Sequence, residues 1–260
     1  MNPSRITRRT AIGDLTKGFV LLASGLYARR VEAATTQTIA AVMAGQARRA
    51  VAASSVSYVL QENFEYPTVG FDNNNANGWT TNDTVDPVSA TITLEGTQCC
   101  KLGYNATNGS ISVGFAELTN IYLYMLFQAT GTNNSILVSL KNSATVVARA
   151  QYVSSGGNKF LIQDDTSSPN VTTIGAWLAN TKYHVWIKHL AGTGANSTGS
   201  IGFSSDGVEP TSGDDNYAGY TNGNATLAVD NITILNVGAV KITYVDKIRI
   251  SSSPIGNNPS

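Results

Sequence analysis

The sequence has few of the residues that support disulfide scaffolds and metal centres. Its 260 residues include two cysteines and two histidines, and only 13% are charged. Two cysteines exclude a disulfide-dense module. His184 and His189 are five residues apart, so on a strand they face opposite ways and cannot share a metal ion. We expect each to be a partly exposed strand residue.

A long apolar run is also missing. The apolar segment at residues 19–28 spans ten residues, whereas a membrane helix needs roughly 20. A transmembrane anchor is therefore the weakest of the interpretations of the N-terminal segment, and we expect no transmembrane segment.

The formal net charge of zero conceals two parts of opposite charge. Residues 1–50 carry eight basic and two acidic side chains, and the remainder carries nine basic and fifteen acidic ones, so the two parts have charges of +6 and −6. The composition changes at the same place, from Ala, Leu and Arg to Asn, Gly, Thr, Ser and β-branched residues. We predict a basic N-terminal arm at residues 1–55 and an acidic β domain at residues 56–260. The charge of the β domain argues against nucleic-acid binding by that domain.

One interpretation of the arm is an export signal. An arginine pair precedes the apolar run, and the small residues at 31–34 offer a cleavage site. This order resembles a twin-arginine signal, although Ala11 and Asp14 depart from that pattern.

The other interpretation is a retained helical arm that docks on a partner protein. Leu15, Phe19, Leu22 and Leu26 follow spacings of 4, 3 and 4, which places them on one helical face. A second short helix is predicted within residues 36–53. We favour this interpretation, and the residues that it assigns to docking are Arg8, Arg9, Phe19, Leu22, Leu26, Arg29 and Arg30.

From Val56 onward the sequence alternates between short runs of β-forming residues and turn residues, which is typical of a β-sandwich or barrel. Thirteen segments read as strands, too many for an immunoglobulin module and suited to a two-sheet jelly roll. They are 56–64, 90–94, 98–104, 110–115, 121–129, 135–141, 146–153, 159–163, 182–190, 200–203, 217–220, 227–235 and 240–251.

The strand patterns also predict which side chains face the core. The segment 121–127 is apolar on both faces, as in a strand buried between layers. In the segment 183–188, Tyr183, Val185 and Ile187 share one face, and His184, Trp186 and Lys188 share the other. The expected core anchors are Phe115, Phe127, Phe160, Trp177 and Trp186.

Five short segments together resemble the concanavalin A-like (laminin-G-like) jelly-roll family over about residues 58–255. They are Glu62-Asn63-Phe64-Glu65, Gly78-Trp79, Leu94-Glu95-Gly96, the segment 181–186 and the closing segment 244–250. The resemblance implies an all-β fold with two antiparallel sheets, preceded here by the short helical arm.

Domains of this family occur in sugar-binding secreted proteins, in polysaccharide hydrolases and in tail, fibre or decoration proteins of bacterial viruses. A basic arm before such a domain most resembles the viral group. We therefore expect a non-enzymatic structural or attachment protein on the exterior of a virus particle, anchored to other particle proteins by its arm. Displayed jelly rolls are often trimers, so a homo-oligomer is expected. The alternative is a secreted bacterial carbohydrate-binding module that carries a twin-arginine signal.

The sequence lacks the catalytic motif of the hydrolases in this family. They use Glu-x-Asp-x-x-Glu on one strand, where alternation brings the carboxylates to one face. Here Glu62 and Glu65 are three residues apart and face opposite ways, and Asp164 is adjacent to Asp165. The spacing of a serine-hydrolase nucleophile elbow is also missing. We expect no enzyme activity.

The resemblance implies one possible cofactor, a structural Ca²⁺ where the first and last strands meet. Glu65, Asp72 and Asp246 are the matching carboxylates, and oxygen ligands suit calcium. The competing interpretation pairs Asp246 with Lys247 or Arg249.

Two loops combine aromatic and amide side chains in the manner of a sugar site, because pyranose rings offer an apolar face and many hydroxyls. The alternative is ordinary turn chemistry, since Asn, Asp and Gly stabilise tight turns unaided. The candidate glycan-binding residues are Asn75, Asn77 and Trp79 in the first loop, and Asp215, Tyr217 and Tyr220 in the second.

N-terminal sequencing of the natural protein tests the two interpretations of the arm. A retained docking arm predicts that the mature chain contains the region of Met1. A mature start at Ala34 or Thr35 would instead identify an export signal and contradict the docking arm.

Overall fold

A computed structural model describes residues 56–66, 78–81, 88–90, 92–103, 109–131, 135–153, 157–164, 170–236 and 242–259. The predicted arm lies outside these residues, so its helices and its docking role stay predictions. Fifteen strands and no helix occur in the described part of the chain. No helix there could cross a membrane.

The strands, numbered in chain order, form two antiparallel sheets. Sheet A contains, in spatial order, β13 (Tyr217–Gly223), β12 (Ser197–Ser204), β11 (Tyr183–Leu190), β6 (Asn120–Ala129), β15 (Thr243–Ser251), β4 (Cys99–Leu102) and β3 (Val88–Ser89), and β1 (Tyr58–Glu62) also pairs with β15. Sheet B contains β10 (Asn170–Thr172), β9 (Lys159–Asp164), β8 (Thr145–Val153), β7 (Ser135–Asn142), β14 (Val229–Asn236), β5 (Gly109–Leu118) and β2 (Thr80–Thr81). The predicted all-β fold with two antiparallel sheets is confirmed.

The inner faces of the two sheets enclose an aromatic cluster. The ring of Phe127 lies 5.2 Å from that of Tyr152, 5.3 Å from that of Phe160 and 5.9 Å from that of Trp177, measured between centroids. All four residues are fully buried. Phe127, Phe160 and Trp177 are therefore core anchors as expected, whereas Phe115 is only partly buried at the margin of this core.

The outer face of sheet A is covered as well. Tyr124, Leu126, Trp186 and Tyr244 point away from the inner core and form a second cluster with Leu94, Cys99 and Ile255. Two chain segments contribute to this cover, the loop 92–98 and the C-terminal segment 252–259. This second layer explains why residues 121–127 are apolar on both faces. It also places Trp186 outside the inner core.

The side chains of the adjacent cysteines point to opposite faces of β4, as the strand alternation predicts. Cys100 belongs to the inner core and Cys99 to the outer cluster, and neither forms a disulfide. Burial raises the pKa of the Cys99 thiol to about 12, so this thiol is a packing group rather than a nucleophile.

Several strand predictions differ from the structure at short elements. β2, β3 and β10 contain only two or three residues and show no detectable alternation in the sequence. Residues 92–94 were expected in a strand but form a bend and an irregular segment. The backbone N–H of the next residue, Glu95, donates instead to the Asp246 carboxylate at 3.0 Å.

Both histidines are buried, which corrects the expectation of partly exposed residues. His189 on the inner face of β11 is fully buried and shares a hydrogen bond of 3.1 Å, through Nδ1, with the Tyr220 hydroxyl. The buried carboxylate of Asp164 lies in the same polar cluster, where it accepts hydrogen bonds from the Ser197 hydroxyl and the Ala225 N–H at 3.2 and 3.1 Å. Burial lowers the pKa of His189 to about 4, although Asp164 opposes this shift.

The aromatic cluster should dominate the stability of the sandwich. We expect Phe127→Ala to lower the free energy of unfolding by about 3–5 kcal/mol, because it removes a fully buried ring and leaves a cavity. Urea denaturation measures this loss, and Phe115→Ala, at a partly buried site, should cost clearly less. Equal losses for the two variants would contradict the packing described above.

His189 should make stability depend on pH. Its folded pKa of about 4 is below the ordinary histidine pKa of 6.5, so the unfolded chain takes up the proton first as the pH falls. The stability that neutral His189 supports is present above pH 6.5 and is lost towards pH 4, by about 3 kcal/mol at 1.36 kcal/mol per pKa unit.

The measurement is the difference in unfolding free energy between the wild type and His189→Gln at each pH. We expect any advantage of the wild type to shrink between pH 7 and pH 4. Asp246, whose pKa is raised to about 7 by burial, changes stability in the opposite direction over this range, but it is present in both proteins and cancels. A difference that stays constant with pH would contradict a buried neutral His189.

Candidate functional site

Two rows of side chains cross the outer face of sheet A. In the first row, strand pairing sets Tyr122 on β6 beside Lys188 on β11, and Lys188 beside Ser200 on β12. The Lys188 ammonium lies 5.6 Å from the centroid of the Tyr122 ring, which is within the range of a cation–π contact. This row therefore offers an aromatic face, an ammonium group and a hydroxyl side by side.

The second row runs through Tyr124 on β6, Trp186 on β11, Gly202 on β12 and Tyr217 on β13. Glycine is required in this row because a Cβ atom at Gly202 would lie 2.6 Å from the ring of Pro210. The missing side chain lets the loop at Glu209 and Pro210 lie directly on the sheet. This loop and the two rows together enclose a depression.

We call that depression the outer-face cleft. Its free volume is about 20 Å³, which is room for about one water molecule, so a larger ligand would lie against its surface rather than inside it. Its aromatic and charged lining residues are Tyr122, Trp186, Lys188, Glu209 and Tyr217. The lining also includes Ser200, Gly202, Pro210 and Ile255.

The cleft combines apolar rings with groups that form hydrogen bonds. Burial raises the pKa of the Glu209 carboxyl, and the nearby Lys188 ammonium partly opposes that shift. A carboxyl group and an ammonium group can bind neighbouring hydroxyls of one ligand as acceptor and donor. This pattern matches the chemistry of a pyranose, which has an apolar face and a rim of hydroxyls.

A buried tyrosine–histidine pair lies beside the cleft. The Tyr124 hydroxyl and His184 Nδ1 are 2.7 Å apart, and the His184 ring stacks on that of Trp186 with centroids 6.0 Å apart. Burial lowers the pKa of His184, and the charges of Lys182 and Lys247 lower it further. Both effects favour the neutral form of the His184 imidazole.

Next to this pair, β15 contains an irregularity between Asp246 and Arg249. Lys247 has a φ of 47°, and its ammonium forms an ion pair with Glu95 at 2.9 Å. The Asp246 carboxylate accepts hydrogen bonds from the backbone N–H groups of Glu95 and Lys247, at 3.0 and 2.7 Å. Burial raises the pKa of Asp246 to about 7, and Glu65 and Glu95 add to this rise against the effect of the two hydrogen bonds.

The residues proposed for calcium occupy different surroundings. Glu65 is exposed and accepts hydrogen bonds from the backbone N–H groups of Thr97 and Gln98 at 2.7 and 3.1 Å. Asp246 is buried among N–H donors, and Asp72 lies outside the described residues. Within the described part of the chain, no three carboxylate, histidine or cysteine side chains are placed to share an ion. Two carboxylates that already bind N–H groups make a poor calcium site, so calcium stays a prediction that depends on Asp72.

The structure separates the residues that were predicted to bind glycans. Tyr217 lines the outer-face cleft. Tyr220 faces the opposite way into the core, where its hydroxyl meets His189. Asp215 is exposed on the turn before β13, and its backbone carbonyl accepts a hydrogen bond from the Gly175 N–H at 2.5 Å. This contact is the ordinary structural role of a turn residue.

Trp79 from the other predicted loop is also in the core. It is 3% exposed, and its ring packs against Phe64 with centroids 5.9 Å apart. A buried ring cannot stack on a sugar, so Trp79 and Tyr220 are withdrawn from the candidate site. Asn75 and Asn77 lie outside the described residues and stay predictions.

Four cleft residues were not predicted as ligand groups: Tyr122, Trp186, Lys188 and Glu209. The alternation of β11 did place Trp186 and Lys188 on one face, and this signal could have separated them from the inner core. Their meeting with Tyr122 and Glu209 depends on strand pairing and on the path of the loop that carries Glu209, and neither is visible in a local sequence pattern.

No family model and no curated protein matches this chain. Solved structures do resemble it. A mutant of alginate lyase Aly36B in complex with an alginate trisaccharide has a TM-score of 0.55 at 13% identity, over 76% of this chain and 99% of that one. The PL-14 alginate lyase from Aplysia kurodai has a TM-score of 0.55 at 7% identity, over 75% and 98% of the two chains.

A sialidase has a TM-score of 0.52 at 12% identity, over 76% of this chain but only 19% of the sialidase chain. At these identities the likeness concerns the fold alone. It agrees with the jelly-roll architecture expected from the resemblance to concanavalin A-like domains.

Proposed function

We propose that residues 56–260 form a non-enzymatic carbohydrate-binding domain that binds one sugar ring against the surface of the outer-face cleft. The observation that carries this proposal is the convergence of two partly exposed rings, Tyr122 and Tyr217, with Lys188 and Glu209 at one cleft, which the buried Trp186 also lines. Rings pack against the apolar face of a pyranose, while the charged groups bind its hydroxyls.

The fold comparison supports the choice of ligand class. A lyase with the same architecture was solved with an alginate trisaccharide, so a sandwich of this kind can carry a sugar chain. The proposal of binding without catalysis rests on the sequence, which lacks the paired-glutamate strand motif of the hydrolases in the resembling family.

The proposed setting is the exterior of a bacterial virus particle, where the basic arm would anchor the domain and the cleft would meet surface glycans. The change from +6 to −6 along the chain supports an anchor followed by a displayed domain. If the arm is an export signal, the same cleft would serve a secreted carbohydrate-binding module. The N-terminal sequencing described above separates these two settings.

Removal of one cleft ring tests the binding site. We expect Tyr217→Ala in the full chain to weaken sugar binding at least about tenfold, which corresponds to about 1.4 kcal/mol, because the variant loses the ring contact but no core packing. Titration calorimetry with glucose, galactose, N-acetylglucosamine and glucuronate at millimolar concentrations measures this change.

Tyr220→Phe is the matched control. Tyr220 lies three residues further along β13 but faces the core, so this variant should keep sugar affinity even if it loses some stability. The proposal is wrong if none of the sugars binds the wild type, or if Tyr217→Ala binds as well as Tyr220→Phe.

A further inference from the structure

A row of polar side chains crosses the face of sheet B that points away from the inner core. Strand pairing sets its six members opposite one another on six neighbouring strands, so at about 4.8 Å per strand the row is about 24 Å long. Apolar residues next to these positions belong to the inner core, which leaves the row on the outer face. In spatial order the members of this row, which we call the sheet B row, are Ser112, Thr233, Ser139, Arg149, Gln163 and Asn170.

Arg149 is the charged member of this row and lies near its centre. Its side chain is partly exposed, and the neighbouring Ala148 and Ala150 are fully buried in the inner core. Among the described residues no ion pair or hydrogen bond involves the Arg149 guanidinium, and its Nε atom is buried without a partner. A guanidinium without a carboxylate partner suits an anionic ligand, because its fork of N–H donors matches the two oxygens of a carboxylate.

Two lysines add positive charge to the same face. Lys141 on β7 follows the fully buried Leu140, and Lys159 on β9 precedes the fully buried Phe160, so both lysine side chains point outward. Both are partly exposed, and within the described ranges neither has an ion pair. The outer face of sheet B thus presents three positive charges in the part of the chain whose formal charge is −6.

The carboxylates of the same strands do not neutralise the middle of this face. Asp164 points into the core and is fully buried. Glu117 and Asp230 lie near the ends of β5 and β14, where they accept hydrogen bonds of 3.1 and 2.7 Å from the last residue of β7 and from the turn after it. These two charges therefore lie at the Lys141 end of the face, and no outward position of the described strands beside Arg149 carries a carboxylate.

The polar groups beside Arg149 suit the hydroxyls of a sugar chain. Gln163 is partly exposed and Asn170 is exposed, and carboxamides both donate and accept hydrogen bonds. The Gln151 carboxamide N–H donates to Gln163 Oε1 at 3.3 Å, which leaves the NH₂ group of Gln163 as a donor. The guanidinium and the carboxamides together can bind one acidic group and the hydroxyls next to it.

The aromatic residues of sheet B distinguish between two kinds of polyanion. Phe115, Tyr152 and Phe160 all pack in or against the inner core. The described part of the outer face therefore has no ring on which a nucleic-acid base could stack, and stacking is a main source of affinity for single-stranded nucleic acids. An acidic polysaccharide fits this face better.

We propose that the outer face of sheet B is a second binding surface, which takes an extended acidic polysaccharide across its strands with a carboxylate of the chain on Arg149. The sheet B row supplies hydrogen bonds along the chain, and Lys141 and Lys159 attract its other charges. This surface belongs to the other sheet from the outer-face cleft, so the inference goes beyond the proposed function and does not depend on it.

Replacement of Arg149 tests this surface. We expect Arg149→Gln in the full chain to weaken the binding of hexagalacturonate at least about tenfold, because the central charge and the fork of donors are both lost. Arg149→Lys keeps the charge but not the fork, so it should recover only part of the affinity. Titration calorimetry at low ionic strength measures these changes, and added salt should weaken binding by the wild type.

A double variant at the two lysines decides the question even if Arg149→Gln fails to fold. We expect Lys141→Gln combined with Lys159→Gln to weaken hexagalacturonate binding at least about threefold, because two attractive charges are removed. Lys182→Gln is the matched control, since it removes the same charge at an exposed position just before β11 in sheet A, and it should bind as the wild type does. Neutral cellohexaose is the matched ligand and should bind at least about tenfold more weakly than hexagalacturonate.

The outcomes separate this surface from the proposed function. The second surface is wrong if the wild type does not bind hexagalacturonate, if the Arg149 and lysine variants bind it as tightly as Lys182→Gln, or if oligo(dT) of equal charge binds more tightly. If hexagalacturonate binding depends on Tyr217 and not on Arg149, the second surface is wrong and the proposed function stands. If binding depends on Arg149 while no monosaccharide binds, the second surface stands and the proposed function is overturned.

Discussion

Sheet A is held together at its centre by the pairing of β15 with β6. β15 is the last strand in the sequence, yet it lies inside sheet A, where it pairs with β6, β4 and β1. Its register with β6 shifts between Asp246 and Arg249. That shift accommodates the positive φ of Lys247 and leaves the charged side chains of β15 on the outer face.

The outer face of sheet A is unusual because part of it is a second core. Tyr124, Leu126 and Tyr244 are covered by chain segments, while Tyr122, Lys188 and Tyr217 remain open at the cleft. Burial of the covered part excludes water around the charges beneath it, and this exclusion accounts for the raised pKa of Asp246. The boundary between the two parts is the C-terminal segment, so the extent of the open surface depends on where that segment lies.

Much of the fold could be predicted from local pattern. The alternation in β11 and the apolar run in β6 identified the long strands and the side chains that share a face. The same reasoning misplaced Trp79 and Tyr220, because Asn- and Gly-rich surroundings made buried rings look like loop aromatics. It also treated Trp186 as an inner-core anchor, since an aromatic side chain on a strand gives no sign of which layer covers it.

The local pattern of the sequence is enough to find the long strands and the side chains that share a face on each of them, because alternation is a local property of extended backbone. The short strands, the covering of each face and the meeting of residues in the cleft depend on tertiary packing. Tyr122, Trp186 and Tyr217 come from separate strands, and Glu209 comes from a loop. Their meeting depends on the registers of β6, β11, β12 and β13 and on the missing side chain at Gly202, and these are set by packing between segments distant in the chain.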